Sequence, residues 1–147
     1  MKKISTICIL FLCFVSFSQI KVIEVVSVEN LGRVNNFHIQ KVGTEYNIYF
    51  MSVKAEDDEQ PASMKKFSFK NVNNDYATLY NIIIDGFTSK VLKDTKLELP
   101  NNYVWLHYEK ETNKVTFQFM LFNKDSVPTG ISEPLTKEEV MKLFQKA

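Results

Sequence analysis

One stripe of apolar side chains sets the architectures open to this chain. Tyr76, Leu79, Tyr80, Ile83, Ile84 and Phe87 stand at i, i+3, i+4, i+7, i+8 and i+11. That spacing puts all of them on one side of an α-helix. Asn74 or Asp75 supplies the N-cap oxygen, and Gly86 stands where a left-handed residue would stop the helix. The β-branched run Ile82-Ile83-Ile84 weakens helix propensity slightly, and burial of the stripe outweighs it. A helix with such a stripe must be covered by something apolar.

The flanking sequence alternates at period two, so the cover is a sheet. Ile20 to Val28 is β-branched and reads as a first strand, followed by a connector from Asn30 to Asn36 that contains Gly32. Phe37 to Val42, the turn Gly43-Thr44 and Glu45 to Lys54 make a hairpin. The second arm of that hairpin is apolar on both faces, with Tyr46, Ile48 and Phe50 on one and Tyr49, Met51 and Val53 on the other. It therefore belongs in the middle of a sheet or under a helix. Ala55 to Ser63 is a polar loop, and Lys65 to Lys70 alternates as a strand.

Beyond the helix come Thr95 to Leu99, closed by Pro100, then Tyr103 to Tyr108 and Val115 to Phe122. The link from Glu109 to Lys114 suits a hairpin. Thr136 and Glu139 have the spacing of a capping box, Leu135 can staple onto Val140, and Val140, Leu143 and Phe144 form a short apolar face. The order is β-β-β-β-α-β-β-β-α. It predicts an α+β fold in which a mainly antiparallel sheet of about seven strands packs against one long amphipathic helix and a short C-terminal helix.

The start of the chain says where it works. Lys2 and Lys3 precede an apolar run from Ile4 to Phe17, and Ser16 and Ser18 stand at the −3 and −1 positions of a cleavage site. This is the pattern of a secretory leader, Met1 to Ser18, with the mature domain from Gln19 to Ala147. The run is too short and too interrupted for a spanning helix, which needs roughly 20 apolar residues. No cysteine stands where lipidation would need one. Cleavage removes Cys8 and Cys13, so no disulfide is available in an oxidising compartment. Removing 18 of 147 residues leaves 129, one ordinary domain held by its core alone. Charge moves from 18 basic against 17 acidic residues to 16 against 17, a net of −1. Nucleic-acid binding calls for a concentrated basic surface that this chain lacks. No second apolar run could span a membrane.

Absences narrow the chemistry. The four glycines, Gly32, Gly43, Gly86 and Gly130, are isolated, whereas phosphate-cradling loops need them clustered. The two histidines, His38 and His107, lack zinc-binding spacing, and no Gly-x-Ser-x-Gly elbow accompanies them. Glu56-Asp57-Asp58-Glu59 lacks the alternating ligands and turn glycine of a calcium loop. No cofactor, no metal and no catalytic residue is expected.

Aromatic content remains. Tyr103, Trp105 and His107 share one face of a strand, and Val104, Leu106 and Tyr108 share the other. One face is core. The favoured reading is that Trp105 anchors the core and nothing binds there, because a small cysteine-free domain needs its one tryptophan for packing. The other is that the Trp105 face is not core and its rings with polar tips suit a protein, peptide or sugar. The sequence thus points to an exported, periplasmic or extracellular, non-enzymatic protein that binds a protein or small ligand of the envelope. An inhibitor or immunity-type protein is one version. The alternatives are a small envelope hydrolase using dispersed histidines and carboxylates, or an envelope structural component.

Overall fold

The computed structural model describes residues 20–53 and 62–146. The leader and the acidic run Glu56 to Glu59 lie outside the described residues. The order is β1 (Val28–Val34), β2 (Phe37–Val42), β3 (Glu45–Met51), β4 (Met64–Lys70), α1 (Asp75–Thr88), β5 (Thr95–Glu98), β6 (Tyr103–Glu111), β7 (Lys114–Phe122), β8 (Pro128–Ile131) and α2 (Lys137–Leu143). The fold mixes helix with antiparallel sheet, as the patterning predicts. The sheet is not single: two four-stranded meanders form, β1-β2-β3-β4 and β5-β6-β7-β8.

The reason lies in the inward side chains. Phe37, Phe50 and Phe67 of the first sheet need an apolar cover, and Phe119 of β7 supplies it. Its ring centroid lies 6.4, 6.2 and 5.1 Å from theirs. At this end the layers meet directly, and a bridge between Ser52 and Ser132 ties them together. Toward the other end α1 is wedged between the layers, while α2 starts at the β1–β2 turn, where the Asn35 amide donates to Glu139, and runs along β1. Tyr76 of α1 stacks on Tyr46 of β3 at 4.4 Å and touches Phe144 at 5.3 Å. Phe87 meets Tyr108 edge-on at 5.5 Å. Leu79 and Ile83 of the stripe are buried, with Tyr76, Tyr80, Ile84 and Phe87 partly buried around them.

Four local expectations are corrected, and one unexpected strand is added. The strand predicted over Ile20 to Val28 begins only at Val28, and Lys21 to Val26 form an exposed arm outside both sheets. The predicted connector is instead β1, which hairpins into β2 through Asn35-Asn36, with Asn35 in the left-handed region at φ 49°. Gly32 belongs to that strand because a Cβ there would overlap the Leu143 carbonyl of α2; a helix end packs on it.

The cap of α1 also differs. Asn74 is left-handed and makes no side-chain cap. The Tyr76 N–H donates to Asn71 Oδ1 at 3.0 Å, so the capping oxygen comes from three residues earlier. Gly86 does not stop the helix, which continues to Thr88; a Cβ there would overlap the Tyr108 ring.

Lastly, β8 was not visible in the sequence, because Pro128 and Gly130 are poor strand residues. Proline is tolerated there since β8 is an edge strand. The capping box of α2 forms as spaced: Glu139 N–H donates to Thr136 Oγ1, and Thr136 N–H donates to Glu139 Oε2.

Candidate functional site

Strand β6 lies between β5 and β7, which fixes its two faces. Val104, Leu106 and Tyr108 are buried in the core. Tyr103, Trp105 and His107 point the other way and are half-buried. Trp105 is therefore not the core anchor. The helix contacts to β6 come through Tyr108, on the opposite face.

Register brings more residues to this outer face. Trp105 is opposite Lys96 of β5 and Met120 of β7, and Met120 is opposite Ile131 of β8. Tyr103 is opposite Glu98 and Phe122. The Trp105 and Phe122 rings approach to 5.9 Å. The Lys96 ammonium sits 4.1 Å from the Tyr103 centroid and 5.9 Å from that of Trp105, and Lys124 sits 4.5 Å over Tyr103. Lys124 also reaches Glu98 at 3.4 Å. The result is an aromatic row flanked by cations, with Met120 and Phe122 extending it.

His107 closes the row. Its Nδ1 lies 2.9 Å from Asp94 Oδ2, so the carboxylate orients the ring. Among the described residues, no serine or threonine hydroxyl hydrogen-bonds the His107 ring, and no group of three acidic, histidine or cysteine side chains could hold a metal. His38 lies on the other sheet. It stacks flat on Tyr49 at 4.3 Å, and burial, with Arg33 nearby, lowers its pKa. The two histidines do not converge.

The sequence missed Asp94, Lys96, Met120, Phe122 and Lys124. Met120 and Phe122 share a parity along β7 with Gln118, a signal the alternation held. Asp94 and Lys124 lie outside the strands and join the site only through the fold.

A second feature is an open cleft of about 990 Å³ between the edge of β4, the helix α1 and the β5–β6 turn. Leu79, Ile82, Leu97 and Leu99 line its apolar part. No helix of the described residues is long and apolar enough to cross a membrane. No protein-family model, no curated protein and no solved structure matches this chain.

Proposed function

We propose that the chain is a small exported binding protein, not an enzyme, that holds a protein partner against the outer face of β6. One observation carries this reading. Tyr103, Trp105 and His107 stand in a half-exposed row on a central strand whose other face is core. Aromatic rings with polar tips are the residues that give contact area at small entropic cost, and they concentrate binding energy in protein interfaces. Lys96 and Lys124 beside the row favour a partner that presents carboxylates or carbonyl edges around an apolar centre. Blocking another protein, as an inhibitor or immunity-type protein does, fits such a surface.

Trp105 is the only tryptophan of the chain, so its emission reports on the face itself. A partner captured from the envelope by the native chain should be lost with Trp105→Ala. Once purified, that partner should shift Trp105 emission on titration. Equal binding to the native chain and to Trp105→Ala would overturn the reading.

The pair His107–Asp94 gives the hydrolase alternative a definite form, with His107 as general base oriented by Asp94. Turnover by the purified chain that disappears in His107→Ala would establish that alternative in place of the first.

A further inference from the structure

The exposed arm and the open edge of β4 have complementary chemistry. Ser52 N–H donates to Ser63 O, and Asn71 N–H donates to Thr44 O. With the register of β3 and β4, these fix which β4 residues bond inward: Lys65, Phe67 and Phe69. The backbone N–H and C=O groups of Lys66, Ser68 and Lys70 therefore point away from the sheet, into the cleft. Among the described residues no strand pairs with them. Such an edge is a template for one more strand.

The arm has the sequence of a strand and pairs with neither sheet. Lys21-Val22-Ile23-Glu24-Val25-Val26 is rich in β-branched residues, yet Val22, Ile23 and Val25 are 74%, 91% and 89% exposed. Six such residues extended span about 20 Å, close to the length of the β4 edge. Protein surfaces seldom leave so many large apolar side chains uncovered within one short segment.

We propose that this arm of a second copy of the chain adds to the β4 edge as an antiparallel strand. Glu24 then lies opposite Ser68, Val22 opposite Lys70 and Val26 opposite Lys66. Opposed residues share a face, so Glu24 falls between the Lys66 and Lys70 ammonium groups on the outer side. Ile23 and Val25 point inward over Leu79, Ile82, Leu97 and Leu99. The charge match and the apolar match are met by the same register. The chain's own arm is held elsewhere. Its root is fixed by the bond from Gly43 N–H to Ser27 O, at the Lys70 end of the sheet. From there it could run along β4 only parallel to it, after a full reversal. Mutual exchange of arms closes a dimer; exchange in one direction builds a chain of copies.

Light scattering on the protein expressed from its complete sequence, from micromolar to near-millimolar concentration, should show a mass that doubles or rises further. Ile23→Asp combined with Val25→Asp alters only exposed arm residues outside the folded body, and should return it to a monomer. Lys66→Pro, which removes an N–H that the monomer does not use, should do the same with its thermal unfolding checked in parallel. With Cys8 and Cys13 replaced by serine, Glu24→Cys with Ser68→Cys should form a disulfide that links two chains, since opposed Cα atoms of a bonded pair lie about 5.5 Å apart. A monomer at every concentration, an assembly unchanged by the arm substitutions, or a disulfide formed only within one chain would each overturn the proposal.

Discussion

The Tyr108 hydroxyl donates a hydrogen bond to the Ile83 carbonyl across 2.8 Å, joining β6 to the middle of α1 inside the core. Gly86, one turn along, leaves the space that the ring occupies. The bond and the gap are one device: the ring can reach the carbonyl only because residue 86 has no side chain. Tyr108→Phe keeps the ring and should cost about 1 kcal/mol by urea denaturation, the net worth of a buried hydrogen bond. Gly86→Ala should cost more, about 1–3 kcal/mol, because the added methyl must push ring or helix aside. Equal stability of Gly86→Ala and the native chain would show that the helix glides over β6 without that gap.

Alkaline pH should loosen the same region. Burial raises the Tyr108 pKa, helped by the Asp85 and Asp94 charges, and burial with Tyr46 nearby pushes Tyr76 up to about 12. A phenol whose folded pKa lies above its unfolded value of about 10 contributes stability that is complete below pH 10. That contribution is lost as pH rises, because the unfolded chain ionises first. Thermal unfolding followed from pH 8 upward should therefore fall steeply only above pH ~10, and the fall should be shallower in Tyr108→Phe.

The C-terminal helix should respond at the acid end. Glu139 accepts from the Thr136 backbone N–H at 2.8 Å and from the Asn35 amide at 3.2 Å. The bond to the backbone is the main reason its pKa is depressed from 4.5. The sign is opposite to the phenols. The contribution is present above the unfolded pKa and is lost as pH falls through the lower folded value. Thr136→Ala, which breaks the box, should cost about 1 kcal/mol at neutral pH. Glu139→Gln should flatten the stability profile below pH ~4.5.

Core truncations should rank by position in the wedge. Phe119, fully buried where the layers meet, touches Phe37, Phe50, Phe67 and Phe117. Phe119→Ala should cost about 3–5 kcal/mol. Leu79→Ala should stay toward the low end of about 2–5 kcal/mol, since Leu79 also lines the open cleft and water can fill what is lost. A reversed order in chemical denaturation would mean that the helix, not the Phe119 junction, holds the layers together.

Much of this fold was legible as local pattern, and the rest required contacts distant in sequence. The β2–β3 hairpin, the stripe of α1 and the capping box of α2 are set by neighbours within a few residues, and each reads directly. The division into two sheets is not. It depends on Phe119 reaching Phe37 and on Ser52 meeting Ser132, pairs that no periodicity reports. Gly32 and Gly86 misled for a related reason. A glycine reads as a turn or a cap until the structure shows what packs against it, here the Leu143 carbonyl and the Tyr108 ring. At the candidate site, alternation grouped Tyr103, Trp105 and His107 correctly on one face. Which face was core depended on α1 packing through Tyr108, and Asp94 reached His107 only through the β5–β6 pairing.

That division of β6 yields a test separating surface from core. Leu106 and Trp105 are neighbours in sequence, one fully buried and one half-exposed on opposite faces. Leu106→Ala should cost about 2–5 kcal/mol. Trp105→Ala leaves no enclosed cavity, because solvent already reaches the site. Its loss is limited to partly buried area and the Phe122 contact, and should stay near 1 kcal/mol. Binding should move the opposite way: Trp105→Ala should abolish partner capture while the chain remains folded. Lys96→Ala, which removes the cation over Tyr103 and Trp105, should weaken it less and make it less dependent on salt. If Trp105→Ala unfolds the chain as Leu106→Ala does, the aromatic row is structural and the binding face lies elsewhere.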